Sequence, residues 1–135
     1  GGACAYLPLA SFPAVECRLL TIDDEIALAT GKTIPSRTLA AHLLYDPASG
    51  RAVVMAEQFV APQGNDYELW AITASGPTSL GVLRGDAGGR LVAKLDHVSV
   101  SGTIIAFAFS REATGGSLDH HKPAGPVVMV GKLAI

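Results

Sequence analysis

Glycine and proline interrupt this chain so often that only short stretches remain for regular secondary structure. Its 135 residues include 15 glycines and 8 prolines, and the runs between them are rich in β-branched and small apolar residues. Short β-prone runs bounded by turn residues are typical of antiparallel strands. We therefore predict an all-β fold, an antiparallel β-sandwich or partly open barrel of about seven to eight short strands, with no long helix.

The clearest hairpin joins residues 38–45 to residues 51–59 through Asp46-Pro47-Ala48-Ser49-Gly50. Aspartate favours the start of a turn, proline fixes φ, and glycine accepts a positive φ at the end. A second hairpin is predicted over residues 67–83. Further strands are predicted over residues 14–21, 103–110 and 127–130, and over residues 90–95, which return from a turn at residues 84–89.

Trp70 is the one tryptophan of the chain and lies in the second hairpin. A tryptophan buries more apolar area than any other side chain, so a buried core position is its usual place. We interpret Trp70 as a core anchor rather than as an exposed platform on which a ligand stacks.

The N-terminal part of the chain carries weaker signals. Residues 1–13 contain Pro8 and Pro13, and we predict an irregular arm there. Asp23 or Asp24 is expected to cap a short helical turn that ends at Gly31. These acids do not form a calcium loop, because the alternating spacing and the central glycine of such a loop are missing.

Composition narrows the classes of function. The net charge is −2 and the 10 lysines and arginines are scattered singly, whereas a nucleic-acid-binding protein needs a clustered basic face. No apolar run approaches the roughly 20 residues that span a bilayer. The chain has neither an initiator methionine nor a signal peptide, and we expect it to be a piece of a longer protein.

Cys4 and Cys17 are the only cysteines. Two cysteines alone do not make a structural zinc site. They form one disulfide if the domain faces an oxidising compartment, or they are two free thiols; the sequence favours neither.

The polar segment 111–126 contains the residues most suggestive of chemistry, Asp119-His120-His121. His120 and His121 would bind a metal only with a further ligand, such as His42, His97 or Glu112. A triad of Ser117, His120 and Asp119 can also be composed, but triads are defined by geometry rather than by nearness in sequence. We favour a solvent-exposed polar loop, and we assign no catalytic residue, cofactor or metal.

Glu112 has a structural interpretation. It follows a buried strand and precedes Gly115-Gly116. A carboxylate in that place can accept hydrogen bonds from the glycine amides and so fix the loop.

Several ordered blocks of the second half resemble the C-terminal domain of the anti-sigma-K factor family. They are Tyr67-Glu68-Leu69-Trp70, Ser79-Leu80-Gly81-Val82, Glu112-Ala113-Thr114-Gly115-Gly116-Ser117, Gly125-Pro126-Val127-Val128 and the closing Gly131. Arg111, Ala113 and Leu118 depart from the residues usual in the family. The resemblance marks a set of structural motif residues: Tyr67, Leu69, Trp70, Gly81, Glu112, Gly115, Gly116, Ser117, Gly125, Pro126 and Gly131.

The resemblance implies a function. Members of this family are single-pass proteins of the bacterial inner membrane. A cytoplasmic N-terminal segment holds an extracytoplasmic-function sigma factor inactive, and a transmembrane helix connects it to a periplasmic domain like this one. Staged proteolysis, beginning with a site-1-type protease, releases the sigma factor. This domain would then be a non-catalytic sensing or protease-shielding part that does not touch the sigma factor, and an envelope signal protein is a further possible partner.

On this basis we expect residues 1–37 to form a membrane-proximal arm with the first strand. Residues 38–135 would form the family-like β domain, folded as one unit with residues 14–37. Segment 111–126 would be either its contact surface or its weakest part.

Two other functions stay open. The domain would alternatively be a periplasmic or secreted module that binds a small ligand or glycan, or a hydrolase or metalloenzyme built on Asp119 and His120.

Overall fold

A computed structural model describes residues 3–9, 12–33 and 40–133. They form nine strands and one short helix: Ala3–Leu9 (β1), Phe12–Thr21 (β2), Ile22–Ala29 (α1), Ala40–Asp46 (β3), Arg51–Glu57 (β4), Asn65–Thr73 (β5), Gly76–Leu83 (β6), Leu91–Leu95 (β7), Ala106–Ala113 (β8) and Val127–Leu133 (β9).

All nine strands belong to one sheet in the order β6-β5-β8-β9-β1-β2-β3-β4-β7. The pairs are antiparallel, except that β1 runs parallel to β9. The sheet curls into a nearly closed barrel, so that Leu69 near one end of the strand order and Val54 near the other belong to the same buried cluster. The predicted all-β, partly open barrel is confirmed, with nine strands instead of seven or eight.

Strand alternation determines which side chains enter the barrel. In β4, Ala52, Val54 and Ala56 are buried while Arg51 and Met55 are exposed, as expected when one face of a strand packs on a core. The β3–β4 hairpin forms as predicted, although residues 38 and 39 lie outside the described residues.

The turn of this hairpin is held by its first residue. The Asp46 carboxylate accepts hydrogen bonds from the Ser49 hydroxyl at 2.7 Å and from the Ala48 amide at 3.0 Å, and Gly50 has φ of 75°. These bonds, the one from Ser49 first, hold the pKa of Asp46 below its ordinary value.

The predicted helical turn is confirmed as α1, but its cap is different. The Asp24 amide donates to the Thr21 hydroxyl at 3.2 Å, so a threonine and not an aspartate serves as N-cap. Gly31 follows the helix with φ of 79°.

The prediction of an irregular arm is wrong for residues 3–9, which form β1, and for residues 12 and 13, which begin β2. The two prolines that suggested irregularity lie opposite one another, Pro8 against Pro13, in the β1–β2 pair. Residues 1, 2, 10 and 11 lie outside the described residues.

The same pair of strands shows whether the two cysteines are bonded or free. Cys17 is completely buried and disulfide-bonded. The chain has two cysteines, and the β1–β2 register places Cys4 opposite Cys17.

The prediction that residues 90–95 return along the preceding strand is wrong. The turn itself forms, because the Asp86 carboxylate accepts bonds from the Gly88 and Arg90 amides, both at 2.9 Å. The Gly89 carbonyl, however, accepts the Phe59 amide at 2.8 Å. This bond leads the chain toward β4, with which β7 pairs.

The strand predicted over residues 103–110 is displaced along the chain. β8 begins at Ala106 and continues to Ala113. Its polar residues Ser110 and Glu112 are buried, so the strand extends into a stretch whose composition suggested a loop.

Candidate functional site

Three acidic side chains are buried together on neighbouring strands. Asp66 and Glu68 lie on β5 and Glu112 lies on β8, and their exposed fractions are 6%, 2% and 2%. Asp66 is directly opposite Glu112 in the β5–β8 ladder. We call these three residues the carboxylate clamp. Buried carboxylates are costly unless they are hydrogen-bonded, so their donors define the site.

The donors are backbone amides of the loop between β8 and β9, residues 114–126, which we call the clamp loop. Asp66 accepts the Gly115 amide at 2.9 Å and Glu68 accepts the Ser117 amide at 2.6 Å. Each carboxylate thus holds its own point of the loop.

Glu112 holds the far end of the same loop. Its carboxylate accepts the Ala124 amide at 3.1 Å and the Gly125 amide at 3.0 Å. Hydrogen bonds to a carboxylate are about twice as strong as bonds between neutral groups. The clamp loop is therefore fixed at both ends.

Side chains complete the coordination of the two acids on β5. Arg84 binds Asp66 in bidentate fashion, with Nε 3.0 Å from Oδ1 and Nη2 2.8 Å from Oδ2. The Ser79 hydroxyl donates to Glu68 Oε2. The hydrogen bond from Arg84 is the largest influence that holds the pKa of Asp66 below its ordinary value; burial opposes it, and the Gly115 amide adds to it.

Gly116 makes room for the clamp. Its φ is 92°, and a Cβ at this position would lie 2.6 Å from Glu68 Oε1 and 2.9 Å from Val82 Cγ2. Gly115 has a similar φ of 97° but open space around it. Glycine at 116 is thus required by a close approach as well as by the backbone conformation.

Gly125 and Pro126 close the loop onto the end of β8. The Arg111 amide donates to the Pro126 carbonyl at 2.9 Å. A Cβ on Gly125 would lie 1.8 Å from the Arg111 carbonyl oxygen, a distance at which no side chain fits.

The clamp loop also covers a sheet edge. β6 is the outermost strand at one end of the sheet, and its Ser79 amide donates to the His120 carbonyl at 2.8 Å. Uncovered edge strands invite pairing with other chains. The loop therefore satisfies part of an edge that would otherwise be free.

Trp70 lies on the same face of β5 as the clamp. Alternation places it with Asp66 and Glu68, and it is completely buried but not part of the interior cluster that contains Leu69. Its Nε1–H donates to the Ser110 hydroxyl at 2.8 Å. The predicted burial of Trp70 is confirmed, and its place is the outer face of the sheet.

The other motif residues lie in the strands around the clamp. Tyr67 and Leu69 point into the interior cluster. Gly81 lies opposite Leu69 at an irregularity of the β5–β6 register. A Cβ on Gly131 would lie 2.9 Å from the Arg18 carbonyl oxygen, so β9 approaches β2 closely at that point.

Two residues of the composed triad, Ser117 and Asp119, have other partners. The Ser117 hydroxyl lies 2.7 Å from the Lys122 carbonyl oxygen and 3.0 Å from that of Asp119. The Asp119 carboxylate accepts the His121 amide at 2.8 Å. These bonds shape the loop itself.

The histidines weighed as metal ligands, His42, His97, His120 and His121, are exposed. Within the described part of the chain, no three side chains of histidine, cysteine, aspartate or glutamate are grouped as a metal site.

The prediction for Glu112 is half right. Glu112 does fix the loop, but through Ala124 and Gly125 rather than through the glycine pair. Of the glycine pair, Gly115 donates its amide to Asp66, and Gly116 donates its amide to the Ala113 carbonyl. Glu68 binds the next amide, that of Ser117. Neither Asp66 nor Glu68 is predicted from the sequence to have such a role. The sequence does hold a signal for these two acids. Asp66 and Glu68 are two positions apart in a strand whose alternate residues are apolar.

The sequence of the chain matches the family model described as anti-sigma-K factor RskA, C-terminal, over residues 23–127. The chain belongs to this family. The match extends further toward the N-terminus than the motif blocks of the second half. No curated protein and no solved structure gave a significant match.

Membership of the anti-sigma-K factor family supports an anti-sigma regulatory role, and the family implies a sigma factor as the partner. Proteins of this family are typically associated with membranes. The one helix among the residues that the structure describes, α1, does not have the length and apolar character needed to cross a bilayer.

Alanine at the two glycines should separate backbone strain from steric contact. Both Gly115→Ala and Gly116→Ala force a left-handed alanine, which costs about 1 kcal/mol. Gly116→Ala should lower the free energy of unfolding by at least about 1 kcal/mol more, because its Cβ meets Glu68. Urea denaturation measures both variants. Equal losses would show that Glu68 does not press against the loop.

The Asp66–Arg84 contact should make stability depend on pH in the acidic range. Because the pKa of Asp66 is lowered in the folded state, its stabilising contribution is complete above the ordinary aspartate pKa of about 3.9. The contribution is lost as pH falls through the lower, folded-state value. Asp66→Asn should be less stable than the unmodified chain near neutral pH, and the difference should shrink in acid.

Thermal unfolding of the two proteins between about pH 7 and pH 3 measures this difference. The exposed Asp96→Asn variant controls for the general loss of one carboxylate. A difference for Asp66→Asn that stays constant over the whole range would contradict the lowered pKa.

Proposed function

We propose that this chain is the extracytoplasmic domain of a single-pass inner-membrane anti-sigma factor that controls an extracytoplasmic-function sigma factor through regulated proteolysis. The sigma factor would be held by a cytoplasmic N-terminal segment outside this chain, and a transmembrane helix, also outside it, would join the two. Residues 1–37 would then lie on the membrane-proximal side.

The disulfide is the observation that supports this placement. Cys17 is disulfide-bonded and completely buried in a strand pair. Disulfides persist in secreted and periplasmic proteins and are rare in the cytosol, where thiols are kept reduced. A disulfide-bonded domain is therefore expected on the periplasmic side of the membrane.

The clamp supplies a physical basis for the control of proteolysis. A protease cuts chain segments that are open, and the open fraction follows the free energy of local unfolding. The three carboxylates hold the clamp loop through bonds to Gly115, Ser117 and Gly125, and the loop in turn covers the edge of β6 through its His120 carbonyl. Release of the clamp would free a loop and a sheet edge together, and a site-1-type protease or an envelope signal protein would act there.

Transcription from a sigma-dependent promoter tests this function in cells that carry the full-length protein. Gly116→Ala should raise transcription, because a loss of about 2 kcal/mol increases an open population by a factor of about 30. Leu118→Ala is the matched control: Leu118 is fully exposed on the same loop, with a relative exposure of 102%.

Two outcomes would contradict the proposal. One is unchanged transcription with Gly116→Ala although the variant domain is measurably less stable. The other is reduced, unpaired Cys4 and Cys17 thiols in the full-length protein isolated under alkylating conditions.

A further inference from the structure

A second site lies at the end of the barrel away from the clamp. An open cavity of about 540 Å³ lies between the β3–β4 turn and residues 97–104. Phe107, in its wall, is near the start of β8, whereas Glu112 is near the end of the same strand. No residue of the cavity belongs to the clamp.

The walls of the cavity are tied together by the backbone. The Val98 amide donates to the Gly50 carbonyl at 2.7 Å, and the Ile105 amide donates to the Ile72 carbonyl at 2.7 Å. These bonds fix both ends of the segment that crosses from β7 to β8. The cavity is thus formed in the folded domain and needs no rearrangement to open.

The deep part of the cavity is apolar and comes from the core. Val15, Val98, Ile104 and Phe107 are at most 7% exposed, and they line the cavity together with Tyr45. The ring of Tyr45 meets that of Phe107 edge-on, with centroids 5.8 Å apart and planes at 71°. A ligand here would touch side chains that are otherwise shielded from water.

A few polar groups stand among these apolar walls. Tyr45, Thr103 and His97 line the cavity. Among the residues that the structure describes, the side chains of these three make no hydrogen bond. Cavities of about 300–1,000 Å³ with apolar walls and a few polar groups are the usual form of small-molecule sites.

A nearby charge selects against an anion. Asp46 lies close enough to Tyr45 that its carboxylate, after burial, helps to raise the pKa of the Tyr45 hydroxyl. The tyrosine is therefore a neutral hydrogen-bonding group beside an acidic side chain, and a second negative charge would be repelled.

We propose that this cavity binds a small uncharged molecule with an aromatic or aliphatic body and one hydrogen-bonding oxygen. The body would pack on Phe107 and Val15, and the oxygen would meet the Tyr45 or Thr103 hydroxyl. Ligand binding in this cavity is a property of the domain alone. Absence of binding would therefore leave the proposed anti-sigma function unaffected.

Titration of the ¹⁵N-labelled chain with 2-phenylethanol tests the proposal, with phenylacetate as the anion of matched shape. The amide signals of Gly50, Val98, Gly102 and Thr103 should shift and saturate, with a Kd on the order of 1 mM for so small a probe. Phenylacetate should bind at least about threefold more weakly because of the neighbouring Asp46 carboxylate.

Bulky substitutions at the mouth locate the binding. Thr103→Trp and Ala48→Trp introduce an indole at exposed positions that line the cavity, and each should weaken 2-phenylethanol at least about tenfold by filling the space. Ser101→Trp is the control, since Ser101 is exposed in the same segment but lines a different depression. Two mouth variants are used so that misfolding of one does not decide the result.

Three results would overturn the proposal: no saturable shift with 2-phenylethanol, shifts that centre on residues outside the cavity, or equal weakening by Ser101→Trp. Tighter binding of phenylacetate than of 2-phenylethanol would overturn the uncharged class of ligand.

Discussion

The burial of three carboxylates on one face of the sheet is the constraint from which the C-terminal half of this domain follows. Buried acids that lack partners cost several kcal/mol each, so β5 and β8 cannot carry Asp66, Glu68 and Glu112 unless donors are brought to them. The clamp loop brings its own backbone N–H groups. Two close approaches, at Gly116 and Gly125, leave no space for a side chain.

This arrangement joins elements that are far apart in the chain. Asp66 and Gly115 are 49 positions apart, as are Glu68 and Ser117, and the loop they hold lies against the edge of β6 through Ser79. The motif blocks of the anti-sigma-K factor family are therefore one physical unit: two strands that present acids, and a loop that presents amides. Contiguous elements that share their hydrogen bonds in this way open as one cooperative unit.

The sequence predicted what local chemistry determines. The turn at Asp46-Pro47-Ala48-Ser49-Gly50, the helical turn ended by Gly31 and the burial of Trp70 all depend on short-range preferences or on one side chain. The order of the family blocks was likewise readable and led to the correct family.

What the sequence did not predict depends on pairing between distant segments. A buried acid and a surface acid look the same in a sequence, so Asp66 and Glu68 received no role and β8 was ended before Glu112. β1 is not predicted because Pro8 and Pro13 indicate breaks in a local reading, whereas Pro8 of β1 lies opposite Pro13 of β2 in register. The partner of β7 was missed because a local turn does not reveal which strand the chain reaches next.

Native-state hydrogen exchange at the Ser117 and Gly125 amides tests the clamp most directly. If Glu68 and Glu112 hold these amides, both should exchange far more slowly than loop amides in contact with water. Glu68→Gln should then speed exchange at Ser117 by about an order of magnitude, because a charge-assisted bond is replaced by a neutral one. Fast exchange at both amides in the unmodified chain, or no response of Ser117 to Glu68→Gln, would contradict the carboxylate clamp.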